Sequence, residues 1–260
     1  MESVFSKLAN SPVETVQLKR NDTFHFNCHK GVSCFTKCCG DLDIFLTPYD
    51  IVRMKNHLGI NSSELLLKYT QTVILTKSQV PMIKMNMNED GRCVFVRPME
   101  GCLIYNDRPV ACRYYPVGMG ALKSHSGGDF YFLLKEEHCQ GFKEPNEWVI
   151  ANWRMEQGID VYDDVNKDWI DIIINKKTVG VGVNPDEKSI KMFYMASYDL
   201  DTFKSFVFES RFFDVFDIEE EYIFMIKESE LELQKFALRW LKYVLFKEPT
   251  MFLKKEYERK

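Results

Sequence analysis

Eight cysteines fall between Cys28 and Cys139, and the 121 residues that follow contain none. Four of them, Cys28, Cys34, Cys38 and Cys39, crowd into twelve residues and are followed at once by Gly40. At 260 residues and 45% hydrophobic content, the chain can bury an ordinary core and needs no covalent staple to stay folded. Thiolates are soft donors that select zinc, copper(I) or iron–sulfur clusters, and metal binding itself keeps them deprotonated. The first four are therefore read as metal ligands. Cys93, Cys102, Cys112 and Cys139 are more dispersed and are read the same way. For Cys93, followed by Val94 and Phe95, plain burial as a small hydrophobe competes best with that reading.

Adjacent cysteines carry a geometric constraint. In a strand Cys38 and Cys39 point to opposite faces, and in a helix they diverge by about a quarter turn, so the two are expected to serve different centres. Gly40 permits a positive φ there, which would turn the chain sharply and aim amide N–H groups at sulfur. Zinc knuckles place their ligands two to four residues apart, which the gaps of five and three residues here match only in part. Iron–sulfur clusters accept wider spacing provided four cysteines converge in space. The reading adopted is a 4Fe-4S cluster, with zinc as the alternative. His29 and His138, beside Cys28 and Cys139, are substitute ligands in principle and hydrogen-bonded surface residues by default.

Charge excludes other classes. The net charge is −4, from 34 basic and 38 acidic residues mixed along the chain, so no strong field favours nucleic acid or an anionic membrane. Lys254, Lys255, Arg259 and Lys260, interrupted by Glu256 and Glu258, read as a solvated tail. The first twenty residues lack the apolar stretch of a secretory signal, and polar residues interrupt every later apolar run. The expected location is cytoplasmic, where thiols stay reduced and clustered cysteines bind metal or do redox chemistry.

The expected fold class is α+β and predominantly α-helical, with a small irregular cysteine-rich region of short strands packed against helices. Two parts are expected: a metal-binding domain over 1–144 and a helical region over 145–260, with the boundary near Pro145. Thr47 with Pro48 starts a helix that stops at Gly59. Ser62 or Ser63 caps a second helix through Leu65, Leu66, Tyr69 and Val73. A strand follows over Met82–Met87, with a turn at Asn88–Gly91, and Phe130–Leu134 forms another strand after a break at Gly127-Gly128. Leu233, Phe236, Ala237, Trp240, Leu241, Val244 and Leu245 make one buried helix face. Tyr162, Val165, Trp169 and Ile172 make another, opposite Asp160, Asp164, Asp168 and Asp171, which read as solvated rather than as an acid/base cluster. The aromatic segment Phe203–Phe216 reads as core.

The cysteine run, then Leu46-Thr-Pro-Tyr-Asp-Ile-Val-Arg-Met-Lys-Asn-His-Leu-Gly59, then Gly101-Cys-Leu-Ile-Tyr-Asn-Asp-Arg-Pro-Val-Ala-Cys-Arg-Tyr-Tyr-Pro116, closely resembles the YkgJ-type cysteine-cluster proteins. That family is described as a zinc- or iron-chelating, CxxCxxCC domain, and its relatives include flagellin lysine N-methylases assigned an iron–sulfur centre. The resemblance covers roughly 24–142. It implies that the family's cluster falls on Cys28, Cys34, Cys38 and Cys39 and its later cysteines on Cys93, Cys102, Cys112 and Cys139. The x5 and x3 gaps depart from the family's x2 spacing. A centre bearing four thiolates is net negative, so Arg108 and Arg113 are candidate cations beside it; the competing reading is a pair of surface arginines held by carboxylates.

Three functions follow: a metal-binding or redox protein with an unidentified protein partner; a protein lysine N-methyltransferase-like enzyme, by analogy with the relatives; and a metal chaperone or store. Catalytic residues are not identifiable. Gly118-x-Gly120 and Gly180-x-Gly182 are weak methyl-donor loops, and no nucleophile elbow, Walker-type loop or HExxH helix is present.

Overall fold

The computed structural model describes residues 13–14, 16–75, 80–121, 129–179 and 187–257. The chain is a helix-dominated α+β protein whose short strands form small sheets. It divides into two compact units, one built from Met1–Leu42, Met87–Tyr105 and Val110–Asp160, the other from Asp43–Asn86, Asn106–Pro109 and Val161–Lys260. All eight cysteines lie in the first unit.

In the first unit, Thr23–His25 pairs antiparallel with Glu147–Val149, setting Phe24 opposite Trp148. Val117–Ala121 pairs with Asp129–Leu133 as expected from the Phe130–Leu134 pattern; the Gly127-Gly128 break lies outside the described residues. Both strand pairs feed one aromatic core. Phe24, Phe26, Tyr131 and Trp153 are buried with Val117, Leu133, Ile150 and Ile159, and Cys139 packs against them. Phe26 meets Trp153 edge-on at 5.7 Å between ring centres and Phe142 at 5.2 Å, an arrangement that favours T-shaped contact.

In the second unit, Thr47 caps the helix Pro48–Leu58 by accepting from the Asp50 N–H at 3.3 Å, while the Asp50 carboxylate accepts from the Thr47 N–H at 2.7 Å. Gly59 ends that helix at φ 65°. The next helix, Ser62–Tyr69, is capped by Asn61 rather than by a serine, and it stops short of Val73. The β-branched run Thr70–Ile74 leaves the helix to pair with Pro81–Met85, in a sheet ordered Phe45–Leu46, Pro81–Met85, Thr70–Ile74. Pro81, Ile83 and Met85 face inward, as the alternation demands.

The C-terminal helices keep their predicted faces. Leu233, Phe236, Ala237, Trp240 and Leu241 are buried on the helix Glu230–Phe246, and the stripe fades to half-buried at Val244 and Leu245. Phe203 stacks at 5.5 Å from Trp240 in this core. On the helix Ile159–Val179, Tyr162, Trp169 and Ile172 are buried while Asp164, Asp168 and Asp171 stay exposed, Asp168 taking a 2.6 Å bond from Lys242. Of the basic tail, Arg259 and Lys260 lie outside the described residues. Among the described residues, no helix is long and apolar enough to cross a membrane.

A buried cation ties this second unit together. Lys55, 5% exposed, donates to Glu230 and lies 3.3 Å from Asp201, and Asp201 also accepts from the Ser62 N–H at 2.6 Å. Burial pushes the Asp201 carboxyl up, but the Ser62 and Lys55 contacts outweigh it and hold its pKa below the ordinary value. A carboxyl depressed in the folded state contributes stability that is full above its unfolded pKa and is lost as pH falls through its folded one. Lys55→Met is therefore predicted to cost on the order of 3 kcal/mol, the low end for breaking a buried pair because both carboxylates stay partly hydrated. Urea unfolding followed by tryptophan fluorescence reads it: the midpoint drops at neutral pH and the deficit narrows on acidification, whereas an unchanged midpoint contradicts the assignment.

Candidate metal centre

Two backbone pairings bring distant cysteines together. The strand that starts at Thr23 continues past its sheet, with the Phe26 N–H bonded to the Asn146 carbonyl at 2.9 Å and the Asn27 N–H to that of Gly141 at 3.0 Å. Cys28 thereby arrives beside Cys139. A second short ladder pairs Gly40 with Arg92 antiparallel; the Asp41 N–H reaches the Gly91 carbonyl at 2.9 Å and the Cys93 N–H reaches the Cys39 carbonyl at 2.8 Å. Cys39 and Cys93, 54 positions apart in the chain, are cross-strand partners in this register. The turn at Asn88–Gly91 closes it, with the Gly91 N–H on the Asn88 carbonyl at 2.9 Å.

The loop between these pairings is compact. Consecutive three-residue turns carry the Phe35 N–H to Val32, Lys37 to Cys34 and Cys39 to Thr36, ending in the 3-10 turn Lys37–Cys39. Gly40 does not take the positive φ expected of it. It is extended at φ −126°, because it sits in the ladder with Arg92, and the left-handed positions are Thr36 at 66° and Asp41 at 53°. Where glycine is required is Gly101, at φ 94°, since any side chain there would press on the Phe35 ring as well as strain the backbone. That turn delivers Cys102 beside Cys93.

The sulfurs interact in two overlapping groups. Cys28 feels Cys34, Cys139 and Cys39; Cys38 and Cys39 share a side-chain hydrogen bond; Cys93 feels Cys102 and Cys39. Cys139, which the spacing placed with the later cysteines, therefore stands with the first. Cys34 is buried and its Sγ accepts the Gln140 N–H at 3.1 Å, the kind of amide dipole a thiolate needs. Cys28 is exposed, Cys93 buried and the rest half-buried, Cys112 lying on the short helix Val110–Tyr114.

Burial and the neighbouring sulfurs push Cys28 up to about 11, and burial first, then Cys102 and Cys39, does the same to Cys93. The Cys38–Cys39 hydrogen bond splits that pair: Cys38 holds its proton more tightly, and Cys39 is lowered by the donated bond and, against the cost of burial, by the Arg92 guanidinium. The hydroxyl of Tyr115 is pushed upward by burial and by Cys139, and donates to Glu136 at 3.0 Å.

One cation beside the thiols is Arg92, whose charge acts on Cys39 and which the sequence pattern does not single out. Arg113 is buried and donates to the Gln157 carbonyl at 2.7 Å; Arg108 is buried in the stretch that belongs to the second unit. Both histidines have carboxylates, His29 with Glu144 at 3.3 Å and His138 with Glu136 at 3.5 Å. Gly118 and Gly120 lie in an antiparallel pair under Phe132 and Phe130, whose rings fill the space a side chain would need, so this segment is not a strand-to-helix loop for a methyl donor. Gly180 and Gly182 lie outside the described residues.

Among the described residues, no three His, Cys, Asp or Glu side chains already stand around one point as they would around an ion. Protonated thiols have no charge with which to hold a cation, and loading exchanges those protons for metal, so neighbouring sulfurs are the feature to weigh here rather than finished coordination. The donor set fits a soft metal on that ground: all-thiol neighbours, one amide N–H already on sulfur, and a guanidinium nearby. Because Cys28 and Cys93 keep their protons up to about 11, loading is predicted to release protons and apparent metal affinity to rise with pH across the neutral range. Metal titration in weakly buffered solution checks this; binding that is proton-neutral and pH-independent contradicts a thiol donor set.

The comparisons with known proteins bear on the same segment. The family model that matches, CxxCxxCC, is described as "putative zinc- or iron-chelating domain", and it spans residues 27–144, from the residue before the first cysteine to five beyond the last. No curated protein matches the chain, and no solved structure does. Over residues 27–144 this chain is similar to the CxxCxxCC family.

Proposed function

We propose that the cysteine-rich unit binds 4Fe-4S clusters through two thiol sets and works as an electron-transfer or redox protein for a protein partner. One set is Cys28, Cys34, Cys38 and Cys139; the other is Cys39, Cys93 and Cys102, completed by Cys112 of the same unit. The observation that carries this reading is the ladder, which sets Cys39 beside Cys93, itself beside Cys102, while Cys38, hydrogen-bonded to Cys39, stays with Cys28. The two adjacent side chains share a hydrogen bond, so the proposed sets meet at this pair.

Iron–sulfur is preferred over zinc because the ligands come from widely separated segments, which clusters held by four cysteines accommodate, while structural zinc sites favour close matched pairs. The cluster would supply one-electron chemistry, with potential set by hydrogen bonds to sulfur and by exposure. Cys28 is exposed, which suits electron exchange with a docked protein.

Anaerobic purification followed by iron and acid-labile sulfide analysis tests the proposal. Protein with visible absorption that bleaches on dithionite, and with iron and sulfide in equal amounts, is the expected result; colourless protein with stoichiometric zinc overturns the cluster and leaves chelation alone. Cys34→Ser and Cys93→Ser are each expected to strip one set and leave the other loaded. Loss of all iron in either variant overturns the division into two sets.

A further inference from the structure

Thr36 is a β-branched residue held at φ 66°, a conformation that such residues avoid, and it is 7% exposed. A left-handed threonine persists only where its surroundings impose it. Here the imposing group is visible. Arg92 donates from Nη2 both to the Thr36 carbonyl and to the Thr36 hydroxyl, each at 3.0 Å, and the same carbonyl takes the Cys39 N–H at 3.0 Å. One guanidinium thus closes the turn that leads directly into Cys38-Cys39. Its own backbone is the rung opposite Gly40, so the arginine cannot drift from the loop it holds.

The same side chain has an unspent donor. Arg92 Nε is buried without a hydrogen-bond partner. A buried guanidinium N–H left unpaired is costly, and such groups call for a specific explanation. A thiolate-bound centre is electron-rich and offers sulfur acceptors, and a nearby arginine both balances its charge and bonds to it.

We propose that Arg92 is the positioning residue of the metal centre: it holds the left-handed Thr36 turn that presents Cys38 and Cys39, and its remaining Nε–H serves the loaded centre. This inference rests on the metal-centre reading above. It goes beyond that reading by separating the residue that shapes the loop from the cysteines that ligate.

Co2+ titration of the full chain under anaerobic conditions tests it, with thiolate-to-metal absorption reporting how many sulfurs bind and competition by a chelator reporting affinity. Arg92→Ala is expected to weaken Co2+ binding by roughly 10- to 100-fold, the usual range for losing a supporting contact. Thr36→Gly alone should leave affinity near wild type, because glycine adopts the positive φ unaided, and in the Arg92→Ala background it should recover part of the loss. Arg92→Lys keeps the charge but loses the paired contacts and Nε, and is expected to fall between. Circular dichroism on each metal-free variant identifies any that fails to fold; should Arg92→Ala do so, Arg92→Lys with and without Thr36→Gly carries the comparison. Equal affinity in wild type and the Arg92 variants, or no recovery on adding Thr36→Gly, overturns the role of Arg92 while leaving the metal centre standing. A wild-type chain that binds no Co2+ through sulfur overturns both.

Discussion

The short ladder between Cys39–Asp41 and Gly91–Cys93 is the constraint on which the cysteine unit turns. A cysteine's side chain reaches only a few ångströms, so thiols far apart in sequence can meet only if the backbone brings them there first. Pairing Gly40 with Arg92 fixes Cys39 opposite Cys93, and the pairing of Asn27 with Gly141 does the same for Cys28 and Cys139. Slipping either register by one residue would turn the side chains to the other face. The aromatic core around Phe26 and Trp153 supports the second of these pairings, because Phe26 lies in the core while its own N–H is bonded across to Asn146. Packing energy is thereby coupled to the placement of sulfur.

Local chemistry made much of the fold legible. The helix Pro48–Leu58 is written in its ends: a threonine and an aspartate that cap each other and a glycine that stops it. The buried face of Glu230–Phe246 follows from spacing, while Ile159–Val179 buries Tyr162, Trp169 and Ile172 and leaves Val161, Ile170 and Ile174 exposed. Val73 shows where such reasoning fails. Its spacing from Leu66 and Tyr69 suits a helix, but Thr70, Thr72 and Ile74 gain more by pairing with Pro81–Met85, and tertiary pairing overrides the local pattern.

The candidate site was legible as a donor set and not as an arrangement. The count and crowding of thiols are sequence properties, and they point to soft metals at once. Which sulfurs meet is set by long-range registers that no spacing encodes, so Cys139 moved to the company of Cys28. Gly40 is the residue one would choose for a left-handed turn, yet the ladder holds it extended and the strain falls on Thr36. Arg92 was invisible for a related reason. Its neighbours Gly91 and Cys93 say nothing of Thr36, and only the cross-strand register brings the guanidinium to that carbonyl.

The central claim is that these sulfurs themselves ligate metal. X-ray absorption at the edge of whichever metal copurifies anaerobically with the full chain measures this directly. An all-sulfur coordination shell at about 2.3 Å is the predicted result. A shell dominated by nitrogen and oxygen, or a folded protein carrying neither iron nor zinc, would contradict it.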